Sequence, residues 1–205
     1  IEPVNICIHN FDFRMGVRWD YFHYRSTLGS ESVKLGSIEN EHFFSYRARM
    51  VFNTEDNWNF PTRGVRCNAE YAYVTNNFAK LDVRDADGNK QGKTMGMSDV
   101  RANWRMSFSF NDRFTIQPML YGRLIFGSVV STGLSNTIGG EWFGHRLAWQ
   151  MPFAGVNYLE HVDPFLVAMQ FQAQQRMGKN NYVLVRMAAA QQAEDIENMF
   201  DRSTL

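Results

Sequence analysis

The sequence predicts an all-β chain that forms part of an antiparallel, up-and-down transmembrane β-barrel. Three observations predict this fold: apolar and polar residues alternate with a period of two, the alternation lasts about 9 to 12 residues at a time, and turn-rich stretches separate the segments. Such strands can cross a bilayer, whereas strands of soluble proteins average about 5 to 6 residues. We expect one domain, residues 1–205, that supplies about ten strands of a larger barrel.

The first half of the chain carries three segments with the same two-faced pattern. In residues 11–21 (FDFRMGVRWDY) and 44–52 (FSYRARMVF), apolar side chains occupy every second position and charged ones occur between them. Residues 59–74 (NFPTRGVRCNAEYAYV) repeat the pattern after a Pro-Thr-Arg-Gly turn. Successive side chains of a strand point to opposite faces, so each segment predicts a strand with one apolar and one polar face.

The second half predicts four more strands, although one of them is irregular. Residues 101–110 (RANWRMSFSF) and 165–176 (FLVAMQFQAQQR) alternate clearly, whereas 114–126 mixes its faces around Pro118. Residues 182–190 predict a further strand, and 190–200 predict a short helix or polar loop. The turn-rich stretches between the predicted strands are residues 26–42, 53–63, 76–98 and 127–141.

The apolar row of each strand is expected to face lipid and the polar row the barrel interior. The residues expected to face outward are Phe44, Tyr46, Met50, Trp104, Met106, Phe108, Val167, Met169 and Phe171. Aromatic residues near strand ends are interpreted as interfacial girdles, namely Tyr21, Tyr24, Phe43, Phe44, Trp58, Phe60, Tyr71 and Tyr73. The pattern leaves open a soluble β-sandwich or lipid-binding β-barrel that buries its apolar face instead.

The polar rows contain many arginines and few acids, which indicates a charged interior. We expect a cluster that faces the lumen and consists of Arg47, Arg49, Arg66, Glu70, Arg101 and Arg105, with Gln172 on the same face. Like charges on adjacent strands repel. We therefore expect Glu70, Asp12, Asp20 or Glu141 to reach the arginines, or the loop at 139–155 to fold in beside them.

Composition and charge exclude several other classes of protein. The formal net charge is zero, with 21 basic and 21 acidic residues, so binding to nucleic acid is not expected. No apolar run approaches the roughly 20 residues that a membrane-spanning helix needs. Cys7 and Cys67 are too few for a disulfide framework.

Two longer stretches, NFPTRGVRCNAEYAYVTNNF and GLSNTIGGEWFGHRLAWQMPFAG, carry a family resemblance. The chain resembles the C-terminal barrel of patatin-like phospholipases of Bacteroidetes, which belongs to the bacterial surface antigen or outer-membrane assembly factor superfamily. Pro61 and Gly64 match the superfamily's Pro-x-x-Gly turn, and Gly139 and Gly140 match a Gly-Gly pair before an inward-folding loop. Arg146 stands at the place of that loop's arginine, although Leu147 replaces the glycine that usually follows.

The resemblance implies an outer-membrane β-barrel of about sixteen strands in all. It would anchor, or help export, an N-terminal patatin-like lipid-hydrolysing domain lying upstream of Ile1. The implied partners are outer-membrane lipids, that upstream domain and the barrel assembly machinery. Because the chain ends in DRSTL rather than in a strand with a terminal aromatic, we expect the closing strands to be absent and 182–190 to form an edge.

The residues themselves supply no catalytic or metal site. A patatin nucleophile needs Gly-x-Ser-x-Gly, and no serine is flanked in that way, so this chain is not expected to be an enzyme. The Asp87–Gly88 pair predicts a turn, and DADGNKQG lacks the acidic twelfth residue of a calcium loop. The five histidines lack metal-ligand spacing, and no cofactor is expected. The remaining alternative function within the barrel class is a small porin.

Overall fold

A computed structural model describes most of the chain, and thirteen strands and one short 3₁₀ helix occur in the part that it describes. The described residues are 2–22, 41–75, 81–84, 90–93, 96–127, 134, 136–140, 150–151, 153, 155–156, 160–179 and 181–200. Among them no helix is long and apolar enough to cross a membrane. The all-β class expected from the sequence is therefore confirmed.

One antiparallel sheet of eight strands contains the long segments. In the order of the sheet, its strands are β1 (Val4–Ile8), β2 (Phe11–Phe22), β3 (Glu41–Asn53), β4 (Gly64–Thr75), β7 (Gly96–Asn111), β8 (Phe114–Gly127), β12 (Phe165–Arg176) and β13 (Tyr182–Ala193). Each strand pairs with the next along the chain once the shorter strands are passed over, which is an up-and-down meander. Apart from β1, the strands of this sheet have 12 to 16 residues, long enough to cross a bilayer.

Five short strands form two smaller sheets. The first contains β5 (Leu81–Arg84) and β6 (Lys90–Lys93), in the long connection between β4 and β7. The second contains β9 (Asn136–Ile138), β10 (Gln150–Met151) and β11 (Glu160–Val162), with β9 in the centre. The expected count of about ten strands thus differs from the thirteen described strands, because seven long strands and the five-residue β1 are joined by these five short ones.

The two faces of the main sheet differ in burial. Along β8, Thr115, Gln117, Met119, Tyr121 and Arg123 are buried, whereas the residues between them are half-buried or exposed. The polar rows of the other long strands share this side of the sheet, which we call the buried face. The opposite side, the exposed face, presents apolar residues that include Tyr46, Met50, Met106, Phe108, Val167, Met169 and Phe171.

The core therefore lies on the side of the sheet that carries the charges. One cluster joins Phe43, Ala72, Val74 and Met97 with Leu134, which follows β8. Phe43 was interpreted as part of an interfacial girdle, and this is wrong because its side chain is 0% exposed on the buried face. Alternation assigns a residue to a face of the strand but does not show what packs on that face.

Pro118 interrupts the pairing of β8 with one of its two neighbours without ending the strand. It lies in a central strand, where its missing N–H removes one ladder hydrogen bond. The ladder between β7 and β8 is interrupted there, between the pairs Arg105↔Met119 and Phe108↔Ile116. On the other side Pro118 stays in register opposite Phe171 of β12. The strand is therefore continuous, and its pattern is mixed because Met119, Tyr121 and Ile125 place apolar side chains on the buried face.

At the end of the chain, the expected helix or loop at 190–200 is only partly correct. Strand β13 continues to Ala193, paired with Phe165 of β12, and a 3₁₀ turn follows at Asn198–Phe200. Strands β1 and β13 form the two ends of the eight-stranded sheet, which does not close on itself within the described residues. The expectation that 182–190 forms an edge agrees with this order of strands.

Candidate functional site

The register of the main sheet places arginines directly opposite each other in three places on the buried face. The pairs are Arg14↔Arg49, Arg66↔Arg105 and Arg101↔Arg123. Directly opposed side chains lie about 4.5 to 5.5 Å apart at Cβ, so each pair is repulsive unless anions intervene. How each pair is compensated determines the electrostatics of this face.

Asp99 compensates the pair formed by Arg101 and Arg123. Its carboxylate accepts hydrogen bonds from Arg123 Nε and Nη2 at 3.0 Å each and from Arg101 Nη2 at 2.8 Å. The Arg123 side chain is 1% exposed and also donates to the Leu134 carbonyl at 2.8 Å. Since a buried charge is tolerated only when it is paired and hydrogen-bonded, Asp99 is the anion that allows two arginines to meet here.

Glu70 extends this network toward β3. Its carboxylate accepts a hydrogen bond from Arg47 Nε at 2.9 Å, forms an ion pair with Arg47 Nη2, and lies 3.5 Å from Arg101 Nη2. The network therefore runs from Arg47 through Glu70, Arg101 and Asp99 to Arg123, across strands β3, β4, β7 and β8.

A third acid, Glu55, compensates Arg105. Arg105 Nε and Nη2 each donate to one oxygen of Glu55, at 2.6 Å, which is a bidentate pair. The two side chains are 3% and 1% exposed. Glu55 does not belong to a strand but to the connection between β3 and β4, so this connection must fold over the buried face.

Side-chain caps hold the connection at residues 54–63 in a fixed shape. The Asp56 carboxylate accepts hydrogen bonds from the Thr62 N–H at 2.8 Å and the Thr62 hydroxyl at 2.5 Å. Gly64 has φ +111°, and a Cβ there would lie 2.4 Å from the Thr54 carbonyl oxygen. The conformation and the close approach both require glycine. We call residues 54–63 the inward turn.

The inward turn reaches across several strands. The Pro61 carbonyl accepts a hydrogen bond from the Gln117 side chain at 2.8 Å, and the Thr62 carbonyl accepts one from Ser109 at 2.8 Å. Phe60 stacks on Tyr182 at the start of β13, with ring centroids 4.3 Å apart. The interpretation of Phe60 as a girdle residue is therefore wrong, because the turn carries its ring across the sheet.

A second segment packs on the buried face near β8 and β12. Ile138 and Met151 pack with Met119, Tyr121, Leu166 and Ala168, and Phe153 and Val156 lie against the same cluster. Gly139 and Gly140 have φ of +110° and +76°. Backbone hydrogen bonds join Gly139 N–H to the Met151 carbonyl at 3.0 Å and Phe153 N–H to the Gly140 carbonyl at 3.2 Å. This part of the 139–155 loop packs inward, as expected.

The other expectations about charged residues have mixed outcomes. Asp12 and Asp20 do reach arginines, through hydrogen bonds to Arg14 (3.0 Å) and Arg18 (2.6 Å). Arg146 and Glu141 lie outside the described residues, as does the Asp87–Gly88 pair. Among the described residues, no group of histidines, cysteines and acids could hold a metal ion.

Arg49 and Arg66 differ from the other predicted site residues because no carboxylate contacts them in the described part of the chain. Arg49 Nε donates to the Asn68 side chain at 3.3 Å, and the Arg66 guanidinium lies 4.3 Å above the Trp58 ring. The structure thus connects Arg47, Glu70 and Arg101 directly, places Arg105 on Glu55, and leaves Arg49 and Arg66 beside these pairs.

Sequence reasoning missed three residues of the network, namely Glu55, Asp99 and Arg123. The residues around Glu55 predict only a turn, and no local sequence pattern indicates that its side chain points back to the sheet. Asp99 and Arg123 occupy the alternate positions of β7 and β8 that carry polar side chains. This alternation could have identified them, but Asp99 borders a turn-rich stretch and the pattern of β8 is mixed around Pro118.

Glutamines replace arginines at the far end of the face. Gln172 donates to Gln117 at 2.7 Å and accepts a hydrogen bond from Arg186 Nε at 2.6 Å. The Gln170 and Gln174 side-chain oxygens are buried and have no hydrogen-bond partner among the described residues. Ordered water is the usual partner of such groups, so this part of the face is suited to hold water.

Comparison with known proteins places this architecture in a family. No curated protein matches the chain. The model of the OMP85 superfamily matches residues 5–204, almost the whole chain. The match agrees with the long meandering strands, with an apolar exposed face and with a charged face covered by inward segments. The chain belongs to the OMP85 superfamily, the outer-membrane β-barrel class that the architecture indicates.

Proposed function

We propose that this chain is the membrane-embedded barrel of a larger protein, and that it anchors or helps export a patatin-like lipid-hydrolysing domain located upstream. The superfamily match supports the barrel. The patatin-like partner rests on the sequence resemblance around Pro61–Gly64 and Gly139–Gly140. Outer-membrane lipids would contact the exposed face, and the barrel assembly machinery would fold the chain.

The exposed face supports contact with lipid. Trp19, Met169 and Met187 are 59%, 57% and 64% exposed, in the middle parts of long strands. Water would not stabilise such a continuous apolar surface, whereas the hydrocarbon of a bilayer would. The same surface argues against the alternative of a soluble β-protein, because that protein would bury these side chains and expose the arginines.

One observation favours an anchor or exporter over a porin. Segments of the chain pack on the buried face and occupy it. The inward turn crosses from β3 to β13. The side chains that pack on β8 and β12 are Ile138, Met151, Phe153 and Val156. A diffusion porin keeps a wide aqueous channel along this face. An interior held by packed segments and ion pairs suits a barrel whose task is to hold or conduct another chain.

We also propose that further strands complete the barrel. Strands β1 and β13 end the eight-stranded sheet within the described residues. In hydrocarbon each unsatisfied backbone group costs several kcal/mol, so both edges need partners. Additional strands, to a total of about sixteen, would supply them.

The test uses the full-length natural protein in outer-membrane vesicles and in planar bilayers. We expect phospholipase activity to stay with the membrane after alkaline extraction, and to appear in the soluble fraction when residues 1–205 are deleted. If the full-length protein hydrolysed no lipid, the proposal of a patatin-like partner domain would be wrong. Steady open-channel conductance in planar bilayers would favour the porin instead.

A further inference from the structure

A half-open cleft of about 410 Å³ lies on the buried face near the first strands of the sheet. Four arginines and two glutamates line it, a net charge of +2, and they are Arg14, Arg18, Arg47, Arg49, Glu2 and Glu70. The register explains the empty space, because Gly16 stands directly opposite Arg47 and contributes no side chain. The cleft thus lies between the arginines of β2 and those of β3, at the position where Gly16 has no side chain to fill the space.

The carboxylates near the cleft are already engaged by other arginines. Glu70 is held by Arg47 and Arg101, whereas Asp12 and Glu2 both contact Arg14. Asp20 pairs with Arg18. Asp12 and Asp20 therefore offset two of the positive charges, but none of these acids contacts Arg49. Arg49 also faces Arg14 directly across the strand pair, and of these two arginines only Arg14 contacts a carboxylate among the described residues.

The geometry of Arg49 leaves its binding groups available. Its Nε donates to Asn68 at 3.3 Å, which orients the guanidinium plane. Its two terminal nitrogens have no hydrogen bond to any described residue, and the residue is exposed toward the cleft side of the sheet. A guanidinium fork that is oriented through Nε can bind an oxyanion through two parallel hydrogen bonds, which is the arrangement that suits phosphate.

We propose that this cleft is a binding site for a phosphate group, with Arg49 as its principal ligand and Arg14 and Arg47 beside it. The volume accommodates a phosphate together with a small polar substituent such as glycerol, and lies within the range of small-molecule sites. The phosphate could come from a lipid headgroup or from free phosphate in the aqueous interior. The chemistry of recognition is the same for both, and experiment can separate them.

The experiment is a ³¹P NMR titration of the full-length natural protein in a maltoside detergent that contains no phosphorus. Inorganic phosphate is the first probe, and the soluble headgroup glycerophosphoethanolamine is the second. We expect line broadening of at least one probe at millimolar concentration, and weaker binding as sodium chloride is raised. Broadening by inorganic phosphate but not by the headgroup indicates free phosphate, and broadening by the headgroup alone or at a lower concentration indicates a lipid source. Failure of both probes to broaden overturns the proposal.

Two variants test the site by different means. Arg49→Gln removes the fork and should weaken binding about tenfold or more, because hydrogen bonds to charged groups are the strong ones. Gly16→Leu keeps every arginine but fills the cleft, and should abolish binding. Arg176→Gln is the matched control, since Arg176 lies at the far end of β12 and donates to the Gly178 and Lys179 carbonyls.

Folding of each variant is checked by circular dichroism and by heat-dependent mobility in gels. Arg49 is exposed and holds no carboxylate, so Arg49→Gln is expected to fold even if Gly16→Leu does not. Equal binding by Arg49→Gln and Arg176→Gln would overturn the assignment of Arg49. None of these measurements depends on lipid hydrolysis, so the site can fail while the proposed function stands, and the reverse.

Discussion

Arg105 and Glu55 form a bidentate ion pair that joins strand β7 to the inward turn, fifty positions apart in the sequence. Both side chains are almost completely buried. The pair fixes the turn against the buried face, where Pro61 and Phe60 make their further contacts with Gln117 and Tyr182. The turn at Pro61 and Gly64 thus belongs to a segment that packs on the buried face of the sheet.

Breaking this ion pair should destabilise the protein strongly. Arg105→Met leaves the Glu55 carboxylate buried and unpaired, so we expect a loss of about 3 to 5 kcal/mol in the free energy of unfolding. The double variant Arg105→Met/Glu55→Gln should recover much of this loss, because it removes both charges. Urea titration in lipid vesicles measures each value.

The exposed pair between Arg14 and Glu2 is the matched control for this prediction. Its charged atoms lie 3.6 Å apart and its side chains are 41% and 58% exposed. Glu2→Gln should therefore change stability by less than about 1 kcal/mol. If Arg105→Met cost no more than Glu2→Gln, the inward turn would not depend on the ion pair.

A charge on the exposed face should be costly if that face contacts lipid. Met106 lies on this face, next to Arg105 on the buried face, and is 38% exposed. Met106→Arg should cost about 2 to 4 kcal/mol if the residue lies near the bilayer midplane. Refolding titrations in lipid vesicles provide the measurement. Met177→Arg, at an exposed position just after β12, is the control and should be nearly neutral.

The contrary result is equally specific for this face. A loss of only a few tenths of a kcal/mol for Met106→Arg, no larger than the loss for Met177→Arg, would contradict the assignment of this face to lipid.

Gly64 should not tolerate a side chain. Its φ of +111° is unfavourable for other residues, and an added Cβ would lie 2.4 Å from the backbone oxygen of Thr54. Gly64→Ala should therefore cost at least about 1 to 3 kcal/mol. Gly178→Ala is the control, because no atom of the described part of the chain lies within 4 Å of a Cβ there. Thermal or urea unfolding of both variants compares them, and equal stability would show that the turn adjusts freely.

The stabilising hydrogen bonds that the Asp56 carboxylate accepts in the inward turn should weaken only at acidic pH. Burial alone would raise the pKa of Asp56, but hydrogen bonds from Thr62 and Arg63 outweigh it and hold the pKa below its usual value. A lowered pKa in the folded state stabilises the protein above the unfolded pKa of about 4, and this stabilisation is lost as the pH falls through the folded pKa.

NMR can follow this titration through the Thr62 amide, which donates to Asp56. We expect its chemical shift to remain constant from neutral pH to about 4 and to change below that value. Asp56→Asn keeps an oxygen acceptor but removes the charge, so the change should disappear. A shift that titrates unchanged in Asp56→Asn would assign the acid sensitivity to another carboxylate.

The sequence by itself determined the two faces of the long strands. Tyr46, Arg47 and the residues that follow them alternate, and because a strand turns successive side chains to opposite sides, this alternation separates the two faces without knowledge of any neighbour. It also indicated strands of membrane-spanning length. The match at Pro61 and Gly64 marked a turn, and the structure supplies the physical reason in a positive φ and a close backbone contact.

Only the tertiary structure decided which charges meet and what covers them. Asp99 reaches Arg123 because the register of β7 and β8 places them near each other, and Glu55 reaches Arg105 because the connection after β3 folds back over the sheet. Phe43 became a core residue for the same reason, through packing with Leu134. A periodic pattern specifies the direction of a side chain within its own strand, whereas register and the path of a connection arise from contacts between residues far apart in the chain.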